Sequence, residues 1–208
     1  MIRLYDYLPS GNGYKVRLLL TQLQIPFERI ELDIIKGSTR TGEFLRKFPN
    51  GRIPAVEFDD GRRLFESNAI MWHFAETSPL VPKDPFERAR VLQWMFFEQY
   101  SHEPHIAVAR FFALHPDRPD ERRTSLPRII RGGYEALGVM ESHLGGGGEG
   151  QRSPEFFVGG KYSIADIALY AYTHVAHEGG FDLANYPAIR EWLVRVKSQP
   201  RHIPITQR

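Results

Sequence analysis

Three short runs carry residue types that can do chemistry. In Gly51-Arg52-Ile53-Pro54-Ala55-Val56 a proline stands at the start of an apolar strand, where a residue without an N–H is tolerated only at the first position, an edge or a bulge. An Ile-Pro step of this kind marks a cis turn, which exposes the N–H and C=O of Ile53 so that a short extended peptide can pair with them as one more strand. A short hairpin later comes Phe65-Glu66-Ser67-Asn68-Ala69-Ile70. Here Ser67 reads as the N-cap of a helix through Ala69, Ile70, Trp72 and Phe74, whose first-turn N–H groups suit a carboxylate. The third run, Pro9-Ser10-Gly11-Asn12-Gly13-Tyr14-Lys15, puts a hydroxyl, an amide and backbone N–H groups at a helix N-terminus, which favours an anion. On its own this run is more simply a helix cap.

The elements that must position these runs follow from periodicity. Ile2 to Asp6 reads as a short buried strand, and Val16, Leu19, Leu20 and Leu23 form the stripe of an amphipathic helix. Pro26 to Asp33 reads as a second strand and Glu43 to Phe48 as a short helix ended by Pro49-Asn50-Gly51. Ala55 to Phe58 and Arg63 to Phe65 flank Asp59-Asp60-Gly61, a hairpin signal. The order βαβαββα is thioredoxin-like. Three prolines between Ser78 and Pro85 then interrupt regular structure, and the chain beyond reads as helices over Phe86 to Leu114, Arg122 to Leu144, Ser163 to His177 and Pro187 to Lys197. Two domains are expected, 1–78 of α/β type and 86–208 all helical. Gly145 to Gly148 with Gly150 reads as a flexible connection without chemistry.

Composition narrows the function classes. The 208 residues carry a net charge of +2, with 42% hydrophobic and 25% charged residues, so no polybasic surface for nucleic acid or acidic membrane is implied. The absence of cysteine removes disulfides, thiolate metal sites and any chemistry by the protein's own thiol. No apolar run approaches the roughly 20 residues of a membrane span, and the opening strand leaves no room for a signal-peptide core, so the expected location is the cytoplasm. His102-Glu103-Pro104-His105 suggests a metal, but Pro104 breaks the helical spacing and no third ligand is evident, so no metal is expected. Ser163-Ile164-Ala165-Asp166 is a capping box with Tyr162 and Ile167 as its staple, which assigns Asp166 to folding.

Taken together, the Ile53-Pro54 step, the Glu66-Ser67 pair, the opening strand-loop-helix and the Tyr162-Ser163-Ile164-Ala165-Asp166 box resemble a cytosolic glutathione transferase along nearly the whole chain. The loop is most similar to bacterial members that read Thr-Pro-Asn-Gly-His-Lys. The resemblance implies a thioredoxin-like N-terminal domain followed by an all-α C-terminal domain, with glutathione as co-substrate. It implies Ser10 and Asn12 as donors to the glutathione sulfur. Glu66 and Ser67 would hold the γ-glutamyl group, Ile53, before Pro54, would pair with the cysteinyl backbone, and Thr39 or Arg52 would lie near the glycyl end. Tyr100, His105 and Phe112 would wall a pocket for a small hydrophobic electrophile, and the protein would be a homodimer. Since glutathione can supply both sulfurs, a disulfide oxidoreductase at the same site is an alternative, and a non-catalytic docking module of the same fold is another. An isomerase with a Ser-Ser-Cys loop is disfavoured because this chain lacks that loop.

Overall fold

The computed structural model describes residues 1–146 and 153–207; the glycine-rich connection lies outside them from 147 to 152. The chain divides into two compact units, Met1–Leu80 together with Pro200–Arg208, and Val81–Gln199. Residues 200–207 thus pack with the first unit, although the sequence pattern alone groups them with the helices.

In the first unit, β1 (Ile2–Asp6), β2 (Phe27–Glu31), β3 (Ala55–Glu57) and β4 (Arg63–Phe65) form one sheet in the order β2-β1-β3-β4. β1 runs parallel to β2, while β3 is antiparallel to both β1 and β4. The parallel pair needs a crossover, which α1 (Gly11–Gln22) supplies. Alternation along β1 sends neighbouring side chains to opposite faces. Leu4 joins Val56, Val16 and Leu20 of α1, and Ile70 of α3 (Ser67–Ala75) on one face. Tyr5 joins Ala55 with Phe44 and Phe48, at and just beyond α2 (Gly42–Lys47), on the other. Each fully buried Leu, Ile or Val contributes about 2 kcal/mol.

The second unit holds α4 (Pro85–Phe97), α5 (Glu103–Leu114), α6 (Leu126–Leu144), α7 (Ile164–Thr173) and α8 (Pro187–Lys197). The single helix expected from Phe86 to Leu114 is divided by a π-helical turn over Glu98–His102. Pro104 accounts for it: the ring has no N–H to give the carbonyl four residues back and excludes that carbonyl sterically, so the ladder must widen. The helix expected to reach His177 ends at Thr173, and a 3-10 turn follows at Ala176–Gly179. The Ser163–Asp166 box opens α7, with the Ser163 N–H donating to Asp166 Oδ2 at 2.9 Å. Among the described residues no helix is long and apolar enough to cross a membrane.

Candidate functional site

The third chemical run begins where β1 gives way to α1. Ser10 is extended, with φ −70° and ψ 124°, and caps α1 by accepting from the Gly13 N–H at 3.2 Å. The cap leaves the hydroxyl hydrogen of Ser10 with no acceptor among the described residues. One turn on, the Lys15 ammonium donates to Asn12 Oδ1 at 2.8 Å. This bond orients the amide of Asn12, whose oxygen faces the lysine. Lys15 is completely buried, and its Nζ lies 3.5 Å from Ser67 Oγ, which is itself 3.4 Å from Asn12 Oδ1. Residues 55 positions apart therefore meet in one polar group with a cation beside it.

The expected peptide-binding edge falls at β3 and α3. The Ile53–Pro54 bond is cis, and Ile53, just outside β3, makes no backbone hydrogen bond among the described residues. Both its N–H and its C=O are available to an added strand. Glu66 has φ 69° and ψ 114°, a region where a non-glycine residue is strained, and its Oε1 accepts from Asn50 Nδ2 at 3.0 Å. The N-cap of α3 is Glu66, not Ser67: Ser67 is the first helical residue, buried, and its hydroxyl turns to Asn12 instead of capping. Because the Glu66 side chain makes no capping bond, the start of α3 keeps the character of an anion site. Thr39 is buried within a 3-10 turn at Ser38–Arg40, Arg52 is exposed, and neither makes a hydrogen bond or ion pair with the Asn12–Ser67 group among the described residues.

In the second unit, Tyr100 and His105 share a cavity of about 250 Å³ with Phe97, Ser101 and Glu135. Phe112 does not line that cavity. It is buried, with the Arg122 and Arg123 guanidinium groups 5.7 and 4.8 Å from its ring centre. His102 turns inward to Thr173 Oγ1 at 2.9 Å, whereas the His105 ring lies flat against Gly132, so the two histidines do not converge. No cluster of three or more metal-ligating side chains occurs among the described residues.

Comparison with known proteins places this geometry. Residues 1–76 match the model of the glutathione S-transferase N-terminal domain, and residues 123–195 match that of the C-terminal domain. The chain belongs to the glutathione S-transferase family. A solved glutathione S-transferase from Pseudomonas fluorescens is 50% identical, with 99% of each chain covered and a TM-score of 0.92. The Escherichia coli disulfide-bond oxidoreductase YfcG is 33% identical over 96% of this chain and 92% of its own. The transferase URE2P6 of Phanerochaete chrysosporium, solved with oxidized glutathione, is 27% identical over 96% and 92% of the two chains, with a TM-score of 0.82.

Within this glutathione S-transferase fold, the residue that sequence reasoning passed over is Lys15. Its signal was local: a lysine three positions after Asn12 lies one helical turn away on the same face. Its burial, however, depends on α3 closing over α1, which no local pattern reports.

Proposed function

We propose that this chain is a glutathione transferase that ionises bound glutathione and adds it to a hydrophobic electrophile. The observation that carries this reading is the meeting of Asn12, Lys15 and Ser67 beside the Ser10-capped start of α1. A free thiol with a pKa of about 8.5 is mostly protonated at neutral pH, and the thiolate is the nucleophile. The Ser10 hydroxyl and the Asn12 amide donate to the sulfur, the α1 N-terminus and the Lys15 ammonium favour its negative charge, and the proton passes to solvent. The thiolate then forms the carbon–sulfur bond while the electrophile's leaving group departs with its electron pair. Ile53 pairs with the cysteinyl backbone, Glu66 takes the γ-glutamyl ammonium, and Ser67 with the first turn of α3 takes its carboxylate. Thr39 and Arg52 serve the glycyl end. Tyr100 and His105 contact the electrophile. A homodimer fits the exposure of Phe96 and Tyr100, aromatic rings at 69% and 86% accessibility in this chain.

A second reading, glutathione-dependent disulfide reduction, is favoured by the likeness to YfcG. In it the thiolate attacks a disulfide, releasing one thiolate and leaving a mixed disulfide. A second glutathione then resolves that intermediate to oxidised glutathione and the other thiol.

Ultraviolet difference titration of glutathione into the wild type, Ser10→Ala and Asn12→Ala tests both readings through the thiolate band. Saturable binding with a lowered thiol pKa, raised again in one variant by about one unit, supports thiol activation and names the donor. Turnover of an aryl halide against a disulfide substrate then separates the two reactions. Absence of glutathione binding in the wild type defeats both and leaves the docking module.

A further inference from the structure

Residues His202–Gln207 follow the last helix and fall outside both family models, yet they belong to the first unit. Two buried side chains of α1 hold them there. Tyr14 Oη donates to the Ile203 carbonyl at 2.7 Å and lies 3.2 Å from His202 Nε2. Arg17, 1% exposed, donates through Nη1 to the carbonyls of Ile205 and Gln207 at 3.1 and 3.0 Å, and through Nη2 to Ile205 again at 3.1 Å.

The same guanidinium reaches the other way. Nη2 donates to the Leu8 carbonyl at 2.8 Å, and Nε lies 2.8 Å from Asp6 Oδ2. Arg17 therefore directs its four terminal N–H groups to the loop leading to Ser10 and to the terminal segment, while its charge pairs with Asp6 at the end of β1. Leu8 is held on its other side as well, its N–H donating to Glu31 Oε1 at 3.1 Å. A Cβ on Gly13 would fall 1.6 Å from Asp6 Oδ1, so the first turn of α1 rests on the carboxylate that Arg17 pairs with. The planar fork of an arginine fits this arrangement, and the point charge of a lysine does not.

We infer that residues 202–207 are a strap that, through Tyr14 and Arg17, fixes the Leu8–Ser10 loop and the first turn of α1 in the geometry that activates the glutathione thiol, and that Tyr14 and Arg17 are positioning residues. The functional half of this inference rests on the transferase reading above; the grip on the loop does not. Without the strap, three of the five donors of Arg17 face no carbonyl, and the guanidinium is free to leave Leu8. Ser10 and Asn12 then keep their chemistry and lose their placement, and displacements of about 1 Å cost up to about a hundredfold in rate.

The test uses the full chain in three variants: Tyr14→Phe, Arg17→Lys, and Ile203→Ala with Ile205→Ala, the last of which changes no residue of α1 and none of the proposed glutathione residues. Amide exchange of residues 7–13, followed without ligand, is expected to quicken by about tenfold or more in each folded variant. Wild-type exchange rates there in a folded strap variant overturn the inference. With glutathione, the bound thiol pKa is expected to move back toward the free value of about 8.5. Turnover at saturating glutathione is expected to fall about tenfold, with affinity for S-methylglutathione, which has no thiol to ionise, held within about twofold. Unchanged thiol pKa and turnover overturn the strap's role in activation. So does a loss of S-methylglutathione affinity in the same proportion, because that marks general damage. A wild type that leaves the glutathione thiol at its free pKa defeats the transferase reading itself, and that failure is visible without any variant.

Discussion

Glu57 in the first unit and Asp166 in the second are both buried carboxylates, and the two units satisfy them by opposite means. Glu57 Oε2 accepts from the Tyr5 hydroxyl at 2.6 Å, with Lys47 Nζ at 3.3 Å, and Arg63 lies 3.2 Å from Oε1. The Tyr5 hydrogen bond, with those of Arg63 and Lys47, lowers its pKa to about 2. Asp166 forms no ion pair among the described residues. It accepts from Trp192 Nε1 at 2.9 Å, the Phe157 N–H at 3.1 Å, and the N–H and hydroxyl of Ser163 at 2.9 and 3.0 Å. Complete burial outweighs these bonds and pushes its pKa up to about 6. The sheet unit anchors α2 through half-exposed cations that can reach water when released. The helical unit anchors α7 through dipoles that cannot.

The sharpest way to break this comparison is Asp166→Ala. It strands the indole N–H and the Phe157 N–H in the core, removes the cap of α7, and is expected to cost about 4 kcal/mol in urea unfolding at neutral pH. A folded pKa of about 6, above the ordinary 3.8, means that this group's contribution is largest below its unfolded pKa and declines as pH rises through about 6. The penalty should therefore grow as pH falls from neutrality toward about 4. A penalty below about 1 kcal/mol would show that solvent reaches the site and replaces the bonds.

Glu57→Gln is the milder counterpart, because Lys47 and Arg63 retain access to water; about 2 kcal/mol is expected at neutral pH. Here the folded pKa is depressed from 4.5 to about 2, so the contribution is present above the unfolded value and is lost as pH falls through about 2. Denaturation midpoints of wild type and variant should converge in acid, opposite in sign to the Asp166 pair. Parallel curves for the two positions would refute the contrast.

What the sequence disclosed divides along similar lines. The succession of strands and helices in the first unit, the α1 stripe and the Ser163–Asp166 box were legible because each is written in residues within a few positions of one another. The cis bond at Ile53-Pro54 was legible because the demands of proline are local, whereas the cap of α3 fell one residue before the expected Ser67, at Glu66. Lys15 and Arg17 were not, because a cation on an amphipathic helix reads as solvated until α3 and the terminal strap cover it. Nor was the setting of Phe112, whose helical spacing fits either a pocket wall or the packing against Arg122 and Arg123 that the fold adopts.

The smallest effect concerns strain. All three non-glycine residues with positive φ among the described residues, Gln24, Glu66 and Arg201, belong to the first unit, and of these Glu66 lies at the proposed glutathione site. Glu66→Gly relieves a backbone that only glycine adopts readily, against the loss of an exposed hydrogen bond from Asn50 and a more flexible unfolded chain. A net gain of about 0.5–1 kcal/mol is expected. Removing the carboxylate proposed to hold the γ-glutamyl ammonium should at the same time weaken glutathione binding about tenfold. Denaturation and glutathione titration on the same preparation read both. A variant that is more stable and binds worse marks Glu66 as a residue held in a poor conformation for recognition. A variant that is less stable shows that φ 69° is comfortable there, and the argument from strain to site fails.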